Sequence, residues 1–275
     1  MKKVVGGILI CIAAITGYSF IGPGFAKVTS VQEEKEIEID TIKDINFETT
    51  AADIKVIPSA TKDMTVKLEG EIQKDLKDKY QLNIEKEGGL LKVSYLTNEN
   101  SIGIKLGSEK DVTLQVSLPE RAYRELLIHT TSGDIDIGSV IADSINIQTT
   151  SGDQVIKRAK ANDQISMRSN SGNVEIDELF SPSGMINTKS GHVSMIIEEM
   201  MNSLDVVTTS GDVQTTFRQD PKSLKIDFKG DSGKPVIKLK NIMYEDKGKN
   251  SAIGIIGDGI NTINVKTNSG DFTVE

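Results

Sequence analysis

The chain has 275 residues, one cysteine, no tryptophan and a net charge of −8. That length holds one large domain or two modest ones, and a lone cysteine excludes a disulfide within the chain. An acidic balance without a basic stripe argues against nucleic acid as a partner and against docking onto anionic lipid.

Met1-Lys2-Lys3 precedes an uncharged apolar run from Val4 to Ile21, followed by Gly22-Pro23-Gly24-Phe25-Ala26. A helical run of that length, at about 1.5 Å per residue, is just enough to cross a bilayer core of about 30 Å. The two lysines hold the N-terminus in the cytoplasm and send the rest outside. Residues 1–26 are therefore read as a retained membrane anchor. The alternative is a signal segment cleaved after Ala26, which gives a secreted protein. Cys11 follows the bulky Ile10, a poor context for lipoprotein processing. The expected location is the cell membrane, single-pass, with the C-terminal domain extracytoplasmic.

Residues 27–44 are charged, as in Gln32-Glu33-Glu34-Lys35-Glu36, and read as a polar stalk. Residues 45–275 read as one β-repeat domain. Strand-like runs are expected at 45–58, 64–71, 81–86, 91–96 and 111–118, with 73–80 a short helix or a long loop. The tract from Phe47 to Val56 looks like a worn copy of the repeat that follows, with Ala51-Ala52 in place of Ser-Gly.

That repeat is a Ser-Gly turn at Gly133, Gly152, Gly172, Gly191, Gly211, Gly233 and Gly270. The spacing is about twenty residues until the last step, which is nearly double and predicts a degenerate copy in between. Aligned on the glycine, four apolar columns emerge. Seven residues before it stand Leu126, Ile145, Ile165, Leu204, Ile226 and Ile263, and five before it Ile128, Ile147, Met167, Ile186, Val206, Phe228 and Val265. Two after it stand Ile135, Val174, Val193, Val213 and Phe272, broken by Gln154 and Pro235. Four after it stand Ile137, Ile156, Ile176, Met195, Thr215, Ile237 and Val274.

Spacing by two is strand periodicity, so each repeat is two half-buried strands joined at a glycine corner. Such a unit cannot bury its own face and must stack on its neighbours. The expected fold is all-β, a solenoid-like stack of the β-helix type, with an antiparallel β-sandwich as the alternative. A positive φ is the reading for each turn glycine. Threonines three residues before it (Thr130, Thr149, Thr188, Thr208 and Thr267) predict a hydroxyl ladder at the corner.

The phrase from Glu48 through Thr49-Thr50-Ala51-Ala52-Asp53-Ile54-Lys55-Val56, then Leu118-Pro119 leading into Leu127 to Ile137, resembles the bacterial β-strand-repeat family labelled "putative adhesin". The closing Gly257-Asp258-Gly259 and Val265 to Val274 resemble it too. With the N-terminal apolar segment, the chain is similar to the membrane-anchored LiaG-type members that accompany cell-envelope stress systems. The resemblance implies an extracytoplasmic β domain with no enzymatic activity and no mapped site.

The chemistry-bearing residues point the same way. His129 falls in an outward column and His192 just after a turn glycine; neither sits in an HExxH, CxxC or His/Cys cluster, so no metal site is expected. Ser151 and Ser210 lack the Gly-x-Ser-x-Gly elbow of a nucleophile. Gly254 to Gly259 lacks the Lys-Ser/Thr of a phosphate loop. Asp134, Asp153, Asn173, His192, Asp212, Lys234 and Asp271 form a column after the turn glycines. Stacked carboxylates could hold Ca²⁺, but three residue types interrupt them, and the favoured reading is a hydrogen bond from each to its own turn.

No catalytic residue, cofactor or metal is therefore expected. The function expected is an envelope-anchored binding or scaffold module, partnered by an envelope protein or a cell-wall polymer. The alternative is a polysaccharide-active β-helix enzyme.

Overall fold

The computed structural model describes residues 10–11, 28–74, 80–97, 109–199 and 201–275. Among the described residues the secondary structure is 24 strands and no α-helix, hydrogen-bonded into one sheet. No helix among them is long and apolar enough to cross a membrane. The expected anchor lies outside the described residues, apart from Ile10–Cys11, a two-residue strand antiparallel to Glu34 and Lys35. The helix-or-loop expectation for 73–80 falls largely on 75–79, also outside them.

Strands of successive repeats lie side by side in two rows. In the first, Ala122–Thr130, Val140–Thr149, Ala159–Ser171, Ser183–Ser190 and Ser203–Ser210 pair parallel in sequence order. In the second, Ile135–Ile137, Gln154–Ile156, Val174–Phe180, Val193–Ile197 and Val213–Phe217 do the same. One strand from each row, joined at its glycine corner, makes a rung. Parallel pairing between successive rungs is solenoid-like and replaces the antiparallel sandwich, whose neighbouring strands would run in opposite directions.

The alternation read from the sequence sets which side chains enter the space between the rows. Ile128, Ile147, Met167, Ile186, Val206, Phe228 and Val265 are all fully buried. So are Leu126, Ile145 and Leu204 in the neighbouring column, while Gly184 leaves room that the Met201 and Leu204 side chains fill. Gln154 is buried where the column called for an aliphatic residue, and its Nε2 donates to the Arg168 carbonyl at 2.7 Å. The extra residue in the step from Gly152 to Gly172 is absorbed by a bulge, where Ala142 pairs Ala161 but Ser144 pairs Gln164.

The worn copy is a true rung. Phe47 pairs in register with Ile128, and Ile54 with Ile135. Outside it lies one more rung, Leu90–Thr97 with Glu109–Pro119, although both strands come later in the chain. The tract expected to be a stalk is instead part of the sheet. Val28–Ile37 runs antiparallel along Met64–Gln73, which in turn covers Glu109–Pro119. Ile37, Ile39 and Ile42 of that charged tract are buried in the core.

The other end corrects a second expectation. No degenerate rung lies between Gly233 and Gly270; Met243–Lys247 and Ser251–Ile256 form an antiparallel hairpin whose inner strand covers Leu224–Gly230. Nor do rungs follow sequence order here. Thr262–Ser269 pairs with Ser203–Ser210 on one side and Leu224–Gly230 on the other, and Phe272–Val274 sits likewise between Val213–Phe217 and Pro235–Ile237. The chain skips one slot, builds the rung beyond it, turns through the hairpin and returns to fill the gap. Phe228 and Phe272 stack there with ring centroids 5.6 Å apart.

Candidate functional site

The repeated Ser-Gly turns converge on one file along the edge where the two rows meet. A Cβ built on Gly152 would lie 2.2 Å from the Gly133 carbonyl oxygen, one on Gly172 2.0 Å from that of Gly152, and one on Gly191 2.0 Å from that of Gly172. The file continues through Gly211, Gly270 and Gly233, in that order, and begins at Ala52 against Gly133. Glycine is thus demanded by backbone packed on backbone. The positive-φ reading holds for Gly172 (151°) and Gly211 (146°) but not for Gly133, Gly152, Gly191, Gly233 or Gly270.

The column after the glycines forms a second file. Asp53 Oδ1 accepts the backbone N–H of Asp134 at 2.8 Å, Asp134 Oδ1 that of Asp153 at 2.8 Å, and Asp153 Oδ1 that of Asn173 at 2.7 Å. Asn173 Oδ1 then accepts from His192, and His192 Nδ1 from Asp212. Asp212 Oδ1 accepts from Asp271, and Asp271 Oδ1 from Lys234 at 2.9 Å. The side chains therefore serve the neighbouring rung rather than their own turn, which corrects the local-turn reading. What the column requires is an acceptor of this length; Asn and His interrupt the charge without interrupting the ladder, and Lys234 ends it as a donor only. One oxygen of each carboxylate is engaged this way. Among the described residues no group of three or more His, Cys, Asp or Glu side chains is arranged to hold a metal ion.

The remaining amides complete the corner. Gly152, Gly172, Gly191 and Gly211 donate to the carbonyls of Ser171, Ser190, Ser210 and Ser269 at 3.0 to 3.1 Å. The threonine column is inside, with Thr130, Thr149, Thr188, Thr208 and Thr267 buried, but it is not a hydroxyl ladder: the Thr149, Thr208 and Thr267 hydroxyls have no hydrogen-bond partner among the described residues. Thr130 Oγ1 lies 2.9 Å from Thr49 Oγ1 and accepts the Gly133 N–H at 3.1 Å. The serines Ser151, Ser171, Ser190, Ser210 and Ser269 stay exposed, so the outer ridge presents hydroxyl and carboxylate groups at the rung spacing of about 4.8 Å.

The other flagged residues stay apart. His129 is half-buried between Glu48 and Gln148 in the first row. Gly254 lies within Ser251–Ile256, and Gly257 and Gly259 hold a turn at φ of 63° and 66°, with no helix to receive a phosphate. A groove of about 400 Å³ runs along Glu198, Phe217, Asp220 and Ser223, where Glu198 is held by Arg218 at 3.0 Å.

A feature the sequence reading passed over lies at the far end of the stack. Residues 222–249 carry eight lysines against four carboxylates, and they form the last rung and its hairpin. Between them is a cavity of about 170 Å³ lined by Lys234, Pro235, Ile237, Tyr244, Lys247 and Lys249, among others. The excess of lysine was visible in the sequence, but only the fold shows that it gathers on one end.

The family model described as Toastrack DUF4097 matches residues 42–179 and 161–275. No curated protein matches the chain. Solved structures to which the chain is similar include a "putative adhesin" from Bacteroides fragilis, 11% identical, covering 89% of this chain and 97% of its own, at a TM-score of 0.45. A "putative lipid binding protein" from Parabacteroides distasonis is 15% identical, covers 89% and 97%, and gives a TM-score of 0.39. A "putative cell adhesion protein" from Clostridium sporogenes is 12% identical, covers 89% and 98%, and gives 0.36.

Proposed function

The chain belongs to the Toastrack DUF4097 family, and we propose that its β domain is a binding or scaffold module held outside the cytoplasm by an anchor in residues 1–26, in which Ile10–Cys11 exchanges its pairing with Glu34 and Lys35 for the bilayer. In this reading it is a LiaG-like component of the cell envelope, tied to the response to envelope stress, and its partner is an envelope protein or wall polymer. It carries out no turnover.

The observation that supports this most is the double file at the corner. Glycine backbones in contact and an acceptor ladder from Asp53 to Lys234 fix successive rungs to one another. The module is thereby a stiff rod with a periodic polar ridge. Such a surface suits an extended or repeating partner, whereas hydrolysis of a glycan needs paired carboxylates at a defined separation within a cleft.

Fractionation of cells expressing the full chain, with protease added to intact cells and N-terminal sequencing of the product, tests the placement. Membrane-bound protein digested from outside and starting at residue 1 supports it. A product starting at Lys27 in the medium replaces the anchor by a cleaved signal, and protection from external protease overturns the extracytoplasmic reading.

A further inference from the structure

The lysine-rich end of the stack is built differently from the rest of the surface. Four of its lysines are neutralised: Lys225 by Glu245 at 4.0 Å, Lys229 by Asp227 at 3.4 Å, Lys238 by Glu275 at 2.8 Å and Lys240 by Asp220 at 2.9 Å. The three that line the cavity, Lys234, Lys247 and Lys249, are in no ion pair among the described residues, and no carboxylate lines that cavity. Three like charges around one small hollow repel each other, and a bound anion relieves the repulsion. We propose that this hollow is an anion site that grips a phosphodiester-linked envelope polymer, one repeating unit at a time. The proposal rests on the envelope reading above and names the partner within it.

The surroundings argue against the other occupants. A peptide strand would have to add to the free edge of Pro235–Ile237. That edge is three residues long, and its first residue has no N–H to give. The Phe272 N–H bonds to the Lys234 carbonyl at 2.9 Å, and the Lys238 N–H to the Val274 carbonyl at 2.8 Å, so both flanking groups are also spent on the stack side. A single-stranded nucleic acid needs a free aromatic face for its bases, but Lys247 Nζ sits 4.5 Å over the Tyr244 ring. A flexible anionic chain needs neither. It needs fixed cations around a small hollow, with the Tyr244 ring and Ile237 as apolar walls beside its carbon linker.

The position is suitable for such a partner. The hollow lies at the end of the stack opposite Val28–Ile37, the first long described strand after the proposed anchor. A rod standing on the membrane would carry its basic end farthest out, where wall polymer is met.

The test uses the full chain purified in detergent and a fluorescent poly(glycerol phosphate) probe, followed by anisotropy. Binding is expected, weakening as salt is raised. The triple variant Lys234→Gln, Lys247→Gln, Lys249→Gln should lose about a hundredfold in affinity, the equivalent of roughly 1 kcal/mol for each lysine near an anionic surface. The triple Arg variant at the same positions should keep binding, and Lys157→Gln with Lys160→Gln and Lys189→Gln, on the side of the stack, should not change it. Unchanged binding by the first triple variant overturns the site. Tighter binding of an oligonucleotide of equal charge, or of phosphatidylglycerol vesicles, overturns the assignment of polymer, and concentration-dependent self-association lost in the Gln variant assigns the end to a second copy instead. Binding intact in a protein that proves cytoplasmic would sink the envelope reading alone, while envelope placement without binding would sink this proposal alone.

Discussion

His192 Nδ1 accepts the backbone N–H of Asp212 at 3.1 Å, occupying the place in the ladder that a carboxylate or amide oxygen takes on the rungs before it. The imidazole can do so only with its proton on Nε2. His192→Asn should preserve the link, as Asn173 does one rung earlier, and leave stability within about 0.5 kcal/mol. His192→Ala leaves the Asp212 amide without its acceptor and should cost about 1 kcal/mol. Chemical denaturation of the two variants separates them; equal loss in both would mean that the ring packs rather than accepts.

The glycine file separates two penalties that are usually confounded. Gly152 has no positive φ, yet a Cβ there would meet the Gly133 carbonyl oxygen at 2.2 Å. Gly152→Ala should cost about 3 kcal/mol or more, because neither partner is a side chain that can swing away. Gly88 has φ of 57° and nothing within 4 Å of an added Cβ. Gly88→Ala should cost only about 1 kcal/mol of backbone strain. Melting curves that rank them the other way would discard the contact argument.

Strand register is open to the same kind of contrast. Ile147 is fully buried and Gln148 exposed. Ile147→Ala should cost about 2–5 kcal/mol, Gln148→Ala less than about 0.5 kcal/mol. Amide exchange should show the loss spreading first to the rungs that pair with 140–149, namely 122–130 and 159–171, before 262–274.

Acid should loosen the turn that leads into the inserted strand. A hydrogen bond from the Ser223 hydroxyl holds the Asp258 carboxyl below its ordinary value of 3.8, and the same Ser223 Oγ accepts the Ile260 N–H at 2.9 Å. A carboxyl lowered on folding stabilises above its unfolded value, and that contribution disappears as pH falls through the lowered one. Asp258→Asn should therefore melt slightly lower at pH 7, converge with the parent in acid, and so flatten part of the fall in melting temperature below about pH 4. Because the group is exposed the difference will be small, and a parallel acid profile for both proteins would deny the link.

Local pattern was enough for the strands and the inward columns, because a residue such as Ile147 declares its face through its own neighbours. It also exposed the worn rung, since Phe47 and Ile54 keep the offsets of Ile128 and Ile135. Order in space was not written there. Nothing in Val213–Phe217 or Leu224–Gly230 announces that a slot must be left between them, because parallel pairing is nearly indifferent to which aliphatic strand lies alongside. The tract 27–44 reads as a stalk for a related reason: its charged residues dominate composition, while Ile37, Ile39 and Ile42 decide burial. The ladder was half legible. Its column stood out, but the direction of each bond depends on how closely the next rung approaches.

The inserted rung also fixes a schedule. Residues 224–237 can be synthesised and folded before 262–274 exist, but they cannot join the stack correctly until those residues leave the ribosome. In the interval Ser203–Ser210 and Leu224–Gly230 both offer an unpaired edge, and their inward columns match well enough to pair with each other directly. Closing that gap early would expel the later strands altogether. Synthesis in strict vectorial order is therefore the route most exposed to error, and any factor that holds the 217–224 connection open until translation has passed residue 274 would raise the yield of the native stack.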